Sequence, residues 1–454
     1  MAVWSITNTV EISKNKRFDS EFFHPDYLTS ENKVGSVGTT KKLGELGRFL
    51  IGPFGSAFHV SNYDSTSEYR YIRGKDVKPF ALLDDDNVYM PEKDYFRLAK
   101  YTVVPNDLLI SVVGTLGNVA IVPDNIKGIF SCKSTIFRES TIDPYYLLAY
   151  FNSKYGRDCL LRRQRGAIQA GLNKDDLKTV PVPIFSSEEH ETVGNLIRSS
   201  LELLDKSKSL YAEAKKNLEK ELGLDQLVLE KSKSYETSFS DVVGNSRADA
   251  DYFQTHFIQQ ARHIKSIPTK PLMQIVDFTK GIEVGSHNYT NSGKLFIRVS
   301  NVKENAIVTG NSDKYISDDL YNSSQLYKPN IGDILLTKDG TLGVCYVIDT
   351  EIEGIISSGI MKMRLKDSLI PAEYLSLVIN SKACRFQIER ACSGALILHW
   401  KPKDIVNLSI PILKKDTMHQ LAELVIQSKQ AKKESEQLIE KAKKKVESLI
   451  EGAI

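Results

Sequence analysis

The chain has 454 residues, with 60 lysines and arginines against 57 aspartates and glutamates and a net charge of +3. That length suggests two to four domains, and 41% hydrophobic residues with 9% aromatics supply a core of ordinary size. A balance so near neutral excludes a broadly basic nucleic-acid binder, so any positive surface must be clustered. The five cysteines (Cys132, Cys159, Cys345, Cys384 and Cys392) are scattered and form no CxxC pair, which suits reduced thiols in a cytoplasmic protein. The first residues begin no signal peptide. Apolar runs such as 107–122 are broken by Asn118 and glycines, so no membrane span is expected.

In chain order, a short lead-in at Asp19–Tyr27 precedes a β-rich region. Its strands are expected at Tyr69–Ile72, Leu108–Val113, Val119–Val122 and Ser134–Arg138, between turns rich in Gly, Asn, Asp and Pro. A helix follows over Pro144–Arg163, then a glycine-containing loop, RGAIQAGLN (165–173), and a Pro-rich strand. A long helix runs from Ser186 to Gly223, roughly 50 Å at 1.5 Å per residue. Small or apolar residues recur in steps of three and four at Val193, Leu196, Ser200, Leu203, Ser207, Leu210 and Ala214, drifting to Leu218 and Leu222. That is a heptad seam. Ser186 or Ser187 caps it, Glu188, Glu189 and Glu191 suit the positive end of the helix dipole, and Gly223 closes it.

The chain then repeats itself. RFDSEFF (17–23) matches RADADYF (247–253), Tyr71-Ile72-Arg73 matches Phe296-Ile297-Arg298, and Gly114-Thr115-Leu116-Gly117 recurs unchanged as Gly340-Thr341-Leu342-Gly343. Asn152-Ser153-Lys154 recurs as Asn380-Ser381-Lys382, and Pro183-Ile184 as Pro411-Ile412. The pairs keep their order with an offset between 225 and 230, which marks a tandem duplication. A second helix is expected over Pro371–Arg390, a second loop is CSGALILHW (392–400), and a second long helix spans Asp416–Glu451. Its stripe is Leu421, Leu424, Ser428, Ala431, Ser435, Leu438, Ala442, Val446 and Ile450; most of it is the first stripe displaced by 228, seam serines included. Neither stripe buries itself alone. They pair with each other as an antiparallel coiled coil, or each packs on an outside partner or a second copy. The expected fold is α+β: a module at 1–185, a spacer helix at 186–224, a second module at 225–413 and a second spacer helix at 414–454.

Catalytic motifs are missing. There is no GxxxxGK[ST] phosphate loop, no [DNS]PP[YFW] tetrapeptide and no GxGxxG opening a helix. The eight histidines lack metal spacing, Pro25-Asp26 lies too close to Glu31-Asn32-Lys33 for a nuclease motif, and Asp84-Asp85-Asp86 reads as a solvated turn. No catalytic residue, metal or cofactor is therefore expected in this chain. Basic residues with aromatic neighbours are better represented. Arg70, Arg73 and Lys75 lie beside Tyr69 and Tyr71, and Arg298, Lys303 and Lys314 occupy the counterpart. Arg162, Arg163 and Arg165 form a second cluster with Arg157, joined by Gln169, Asn173 and Lys174 on the loop. Its counterpart holds Arg385, Arg390, Lys401 and Lys403, and Lys338 precedes the second GTLG string. Lysine and arginine on phosphates supply most nonspecific DNA affinity, and Arg, Lys, Asn and Gln read base edges. A solvated basic face is the plain alternative for each residue singly; the recurrence of both clusters favours DNA.

The strings IGPFGSAF (51–58), YIRGKDV (71–77), NDLLISVVGTLGNVAIVP (106–123) and AIQAGLNKDDLKTVPVPIFSSEEHETV (167–193) resemble the DNA-specificity (S) subunit of a Type I restriction–modification system, or of a related Type IIB/IIG-like system. IRVSNV (297–302) and GDILLTKDGTLGV (332–344) carry the resemblance into the second repeat; KGIEVGS (280–286) and SGALILHWKPKD (393–404) depart from the pattern. The resemblance implies a noncatalytic chain with two target recognition domains, each reading half of a bipartite, asymmetric double-stranded DNA site. It implies that the paired helices set the gap and dock two methyltransferase (M) subunits, with restriction (R) subunits as further partners. Adenine-N6 methylation, S-adenosylmethionine and any ATP or Mg would then belong to the partners. The rival from another class is a coiled-coil scaffold whose globular ends bind protein.

Overall fold

The computed structural model describes residues 3–166, 169–230, 232–310, 312–366, 368–392 and 400–452. The chain divides into two compact units, Met1–Leu204 with Lys433–Ile454, and Asp205–Lys432. The divisions fall inside the two long helices, Ser187–Glu221 and Lys415–Glu451, rather than at the helix ends where composition changes. Each half-helix is part of the core of one unit. Val193, Ile197, Ala442, Val446 and Ile450 belong to the core of the first. Ala214, Leu218, Leu222, Leu421, Ala422 and Val425 belong to that of the second.

The first long helix starts on a capping box. The Ser186 hydroxyl accepts the Glu189 N–H at 3.2 Å, and the Glu189 carboxylate accepts the Ser186 N–H at 3.1 Å. It ends at Gly223, whose φ of +63° suits glycine, and Leu224 N–H reaches back to the Glu219 carbonyl at 2.8 Å.

The long helices pack together inside each unit through their seam serines. In the first unit the Ser435 hydroxyl donates to the Ser200 carbonyl at 2.6 Å. In the second the Ser428 hydroxyl donates to the Ser207 carbonyl at 2.7 Å, with the two hydroxyls 3.1 Å apart. Seven residues forward on one helix answer seven back on the other, so the pairing is antiparallel and intrachain. Ser207 and Ser428 are the repeat partners of Ser435 and Ser200. All four are at most 2% exposed. Small side chains let each hydroxyl reach the facing backbone carbonyl. Val193, Ala214, Leu218, Leu421, Ala431, Ala442 and Val446 are buried, whereas Leu196, Leu203, Leu210, Leu424 and Leu438 are half-buried. A two-helix pair has a single seam, and bulky residues on its flanks stay partly open to water.

Both units hold the same sheet. In the first, the antiparallel order is Arg48–Ile51, Ser134–Arg138, Leu108–Ser111, Val119–Ile121. In the second it is Val276–Lys280, Ile360–Leu365, Ile334–Thr337, Cys345–Val347. Beside each lies a parallel pair, Arg70–Ile72 with Gly128–Phe130 and Lys294–Ile297 with Gly354–Ile356, the latter joined by Lys314–Ile316. These strands read as apolar runs because both faces are covered: Ile72, Phe130, Ile297 and Ile356 are fully buried. Short strands Thr40–Lys42 and Pro181–Pro183 pair in the first unit, as do Thr269–Pro271 and Ser409–Pro411 in the second.

The helix expected over Pro144–Arg163 is two helices, Pro144–Asn152 and Lys154–Leu161, and the one over Pro371–Arg390 is Ala372–Ile379 and Lys382–Ala391. Ser153 and Ser381 leave helical geometry and cap the second helix of each pair. Gly156 permits the tight join, since a Cβ there would sit 2.0 Å from the Tyr150 carbonyl oxygen.

The duplication reaches individual hydrogen bonds. Tyr146 OH donates to the Pro183 carbonyl at 2.7 Å and Tyr374 OH to that of Pro411 at 2.9 Å. The Asn152 amide donates to the Val119 carbonyl at 3.0 Å and the Asn380 amide to that of Cys345 at 2.7 Å. Asp107 meets Arg138 at 2.6 Å, and Asp333 meets Arg364 at 2.8 Å.

Candidate nucleic-acid interface

In the first unit, loops from distant parts of the chain converge beside the four-stranded sheet. A Cβ on Gly52 would lie 2.4 Å from the Ser131 carbonyl oxygen, and one on Gly74 would lie 2.5 Å from Lys133 Cβ. Val112 N–H donates to the Lys133 carbonyl at 2.9 Å, and Leu172 N–H to the Val112 carbonyl at 3.0 Å. One surface thus gathers 52–55, 74–76, 112–118, 131–133 and the described part of 165–173. Phe54 is 86% exposed there, and Lys75, Thr115, Lys133 and Gln169 are also exposed. The second unit repeats the construction. Lys338 N–H donates to the Gly359 carbonyl at 2.9 Å, Trp400 N–H to the Lys338 carbonyl at 3.2 Å, and Gly281 lies against Ser357. Glu283, Thr341 and Lys401 are exposed there, and the Ser358 hydroxyl donates to the Glu283 carboxylate at 2.7 Å. Most of CSGALILHW (392–400) lies outside the described residues.

The expected basic contacts separate into groups. Arg162 and Arg163 are each 5% exposed and face inward. Arg163 forms a forked ion pair with Glu31, and Arg162 lies 2.9 Å from the same carboxylate. Burial pushes Glu31 up, but hydrogen bonding and charge from Arg163, then Arg162, outweigh it and hold its pKa below the ordinary 4.5. The Arg162 guanidinium also stacks 4.2 Å from the Phe22 ring centroid, with Arg17 at 4.7 Å from that centroid. In the second unit, Arg390 lies 4.1 Å and Arg247 4.8 Å from the Tyr252 centroid. Burial lowers the Arg390 pKa. The recurrence of this arginine cluster therefore comes from a duplicated stacking clamp; Arg162 and Arg163 are buried and leave the set of DNA candidates, while Arg390 is half-buried and donates to the Tyr252 carbonyl at 2.9 Å.

The cluster around the first parallel strand is neutralised on the spot. Arg70 is buried, bonds to the Leu83 carbonyl and lies 3.8 Å from the Asp84 carboxylate. Arg73 pairs with Asp76 at 3.0 Å and with Asp86 at 3.4 Å, and Lys75 reaches Asp86 at 2.8 Å. Lys75 above all, then Arg73, holds the Asp86 pKa down. The acidic turn 84–86 is solvent-exposed as expected, and its Asp84 and Asp86 are also counter-charges of this loop. Arg298 donates to the Ser312 carbonyl at 2.5 Å. Arg165 pairs with Asp176 at 2.5 Å, and Lys338, 9% exposed, pairs with Asp339 at 2.7 Å. Asn173 caps helix Lys174–Leu177, accepting the Asp176 N–H at 2.8 Å. Arg385 is exposed, 3.6 Å from Glu389.

What remains, among the described residues, are side chains without a hydrogen-bond or ion-pair partner: Lys174, Lys303, Lys401, Lys403 and Gln169. Phe54, Thr115 and Lys133, exposed on this face, are not among the residues that sequence reasoning singled out. Lys133 had no local signal, because its neighbours on this face arrive from strands far away in sequence. The one available clue was that 51–58 and 280–286 differ between repeats that otherwise agree. Among the described residues no helix is long and apolar enough to cross a membrane.

No protein-family model matches the sequence, and no curated protein is similar to it at a significant level. Among solved structures, the chain is similar to the type I restriction–modification S subunit from M. genitalium, at 14% identity and a TM-score of 0.42, over 91% of this chain and 96% of that one. The HsdS subunit from Thermoanaerobacter tengcongensis aligns over 92% and 97% of the two chains at 14% identity and a TM-score of 0.29. A structure describing complex assembly and conformational transition of the type I R-M system aligns over 91% and 97%, at 15% identity and a TM-score of 0.29. At these identities and scores, the grounds for a function lie in the chain's own residues and geometry.

Proposed function

We propose that this chain is a sequence-specific DNA-binding subunit of the restriction–modification S class, each unit reading one half of a bipartite, asymmetric site. The observation that carries the reading is a duplication kept to the level of single hydrogen bonds beneath a loop face that has diverged. Phe54 and Lys133 stand on that face in the first unit, and Glu283 and Ser358 in the second. One scaffold with two loop chemistries is what reading two different short words requires. The antiparallel pair of long helices would fix the gap between them.

In this reading the free lysines Lys174, Lys303, Lys401 and Lys403 position the duplex through its phosphates, and loop side chains read base edges. The chain itself does no chemistry. Two methyltransferase subunits, joined by restriction subunits, would bring S-adenosylmethionine and any ATP or Mg and modify adenine at N6. The setting would be the cytoplasm.

Salt-titrated equilibrium binding to duplex tests the reading. Each lysine that neutralises a phosphate contributes about 0.9 to the log–log salt slope. Changing Lys174, Lys303, Lys401 and Lys403 together to alanine should lower that slope by roughly 3 to 4. A wild-type chain that retains no duplex at any salt would instead support a protein-binding scaffold.

A further inference from the structure

The string Gly114-Thr115-Leu116-Gly117 and its twin Gly340-Thr341-Leu342-Gly343 recur unchanged at the same place in the two modules. The fold explains three of the four positions. Gly117 and Gly343 both have φ of +73°, and each lies against the following helix: a Cβ would come 3.1 Å from Leu161 and 2.4 Å from Ile388 respectively. Gly114 and Gly340 have φ of +88° and +68°, a region that side chains rarely enter. Leu116 and Leu342 pack against the two cores. The threonines have no such reason. Both are exposed at the loop tip, and the glycine before each has open space around it. Among the described residues, neither hydroxyl nor either threonine N–H has a partner. A fold that needed only a polar tip would have let these positions drift, as it let Lys133 become Gly359 on the same face.

We propose that Thr115 and Thr341 bind the one thing that two different half-sites share, the sugar–phosphate backbone of the duplex. Each would place its hydroxyl, together with its N–H, on a phosphate oxygen. Threonine hydroxyls and loop N–H groups are ordinary phosphate donors, and they carry no sequence information. A bare tip with glycine before the threonine lets the backbone approach a phosphate without obstruction. The proposal rests on the DNA-binding reading above and deepens it. It separates a fixed grip, common to both units, from the diverged side chains that read bases.

The test is equilibrium binding of the full chain to its target duplex and to an unrelated duplex of equal length. Thr115→Ala and Thr341→Ala should each weaken both complexes by the same factor, roughly ten- to a hundredfold for one hydrogen bond to a charged phosphate oxygen. The losses should multiply in the double variant. Thr→Ser at either position should restore most of the affinity. The salt slope should not move, because no charge is removed. Unchanged affinity, a loss confined to the target duplex, or a loss that alters the slope would each overturn the proposal. A wild-type chain that holds neither duplex would overturn the DNA-binding reading and this inference with it. Binding by the wild type with unaffected threonine variants would overturn this inference alone.

Discussion

Arg163→Ala should destabilise the first unit by about 3–5 kcal/mol, because it strips a buried carboxylate of its principal counter-ion. Glu31 would be left with Arg162 alone, in a site where burial already disfavours its charge. A whole domain is stable by only about 5–15 kcal/mol, so the loss is a large fraction of the total. Arg165→Ala provides the contrast: its ion pair with Asp176 is half open to solvent and should contribute no more than about 1 kcal/mol. Urea unfolding followed by a probe in the first unit checks both. The pH dependence has a definite sign. The folded Glu31 pKa lies below its ordinary 4.5, so the stabilisation from this ion pair is present above that value and fades as pH falls through the lower, folded value. Glu31→Gln should remove that share of the acid sensitivity. An Arg163→Ala protein of wild-type stability would show that the ion pair does not form.

The second large effect concerns the long helices. Duplicating residues 201–207 together with 428–434 adds one heptad to each helix. It keeps both serine contacts and the antiparallel register. Seven residues lengthen the pair by about 10 Å, which corresponds to about three base pairs of duplex. The preferred gap between half-sites should grow by that amount, with both half-sites unchanged. Three base pairs also turn the second half-site roughly 100° around the duplex axis, so affinity should fall even at the best gap. Binding selections from a duplex library with randomised gap lengths read this directly. Altered half-sites, or an unmoved gap, would contradict the spacer role.

Much of the fold was legible because duplication prints each constraint twice. The seam serines coincide between the two stripes, Ser200 and Ser207 at the same spacing as Ser428 and Ser435, and the structure joins them by hydrogen bonds across the pair. The break at Ser153 was not legible. Pro144–Leu161 has helical periodicity throughout, and only the cap on Gly156 and the close approach of Tyr150 divide it. The site was the least legible part, because recurrence has two physical sources. A duplicated stacking clamp recurs as faithfully as a duplicated surface, and Arg162 over Phe22 with Arg390 over Tyr252 is the clamp. Burial separates the two cases, and burial of one arginine depends on a helix more than a hundred residues away. Recurrences that do lie on the surface include the threonine in the GTLG tip, which has no charge to draw notice.

The central claim is that one chain specifies two separated words on DNA while other subunits modify them. Mapping N6-methylated adenines in the genome of cells expressing this chain with its methyltransferase partner tests that claim most directly. The account predicts one asymmetric motif, two short runs separated by a fixed unread gap, that vanishes when this chain is deleted. Methylation at a single uninterrupted word, or methylation that persists without the chain, would contradict it.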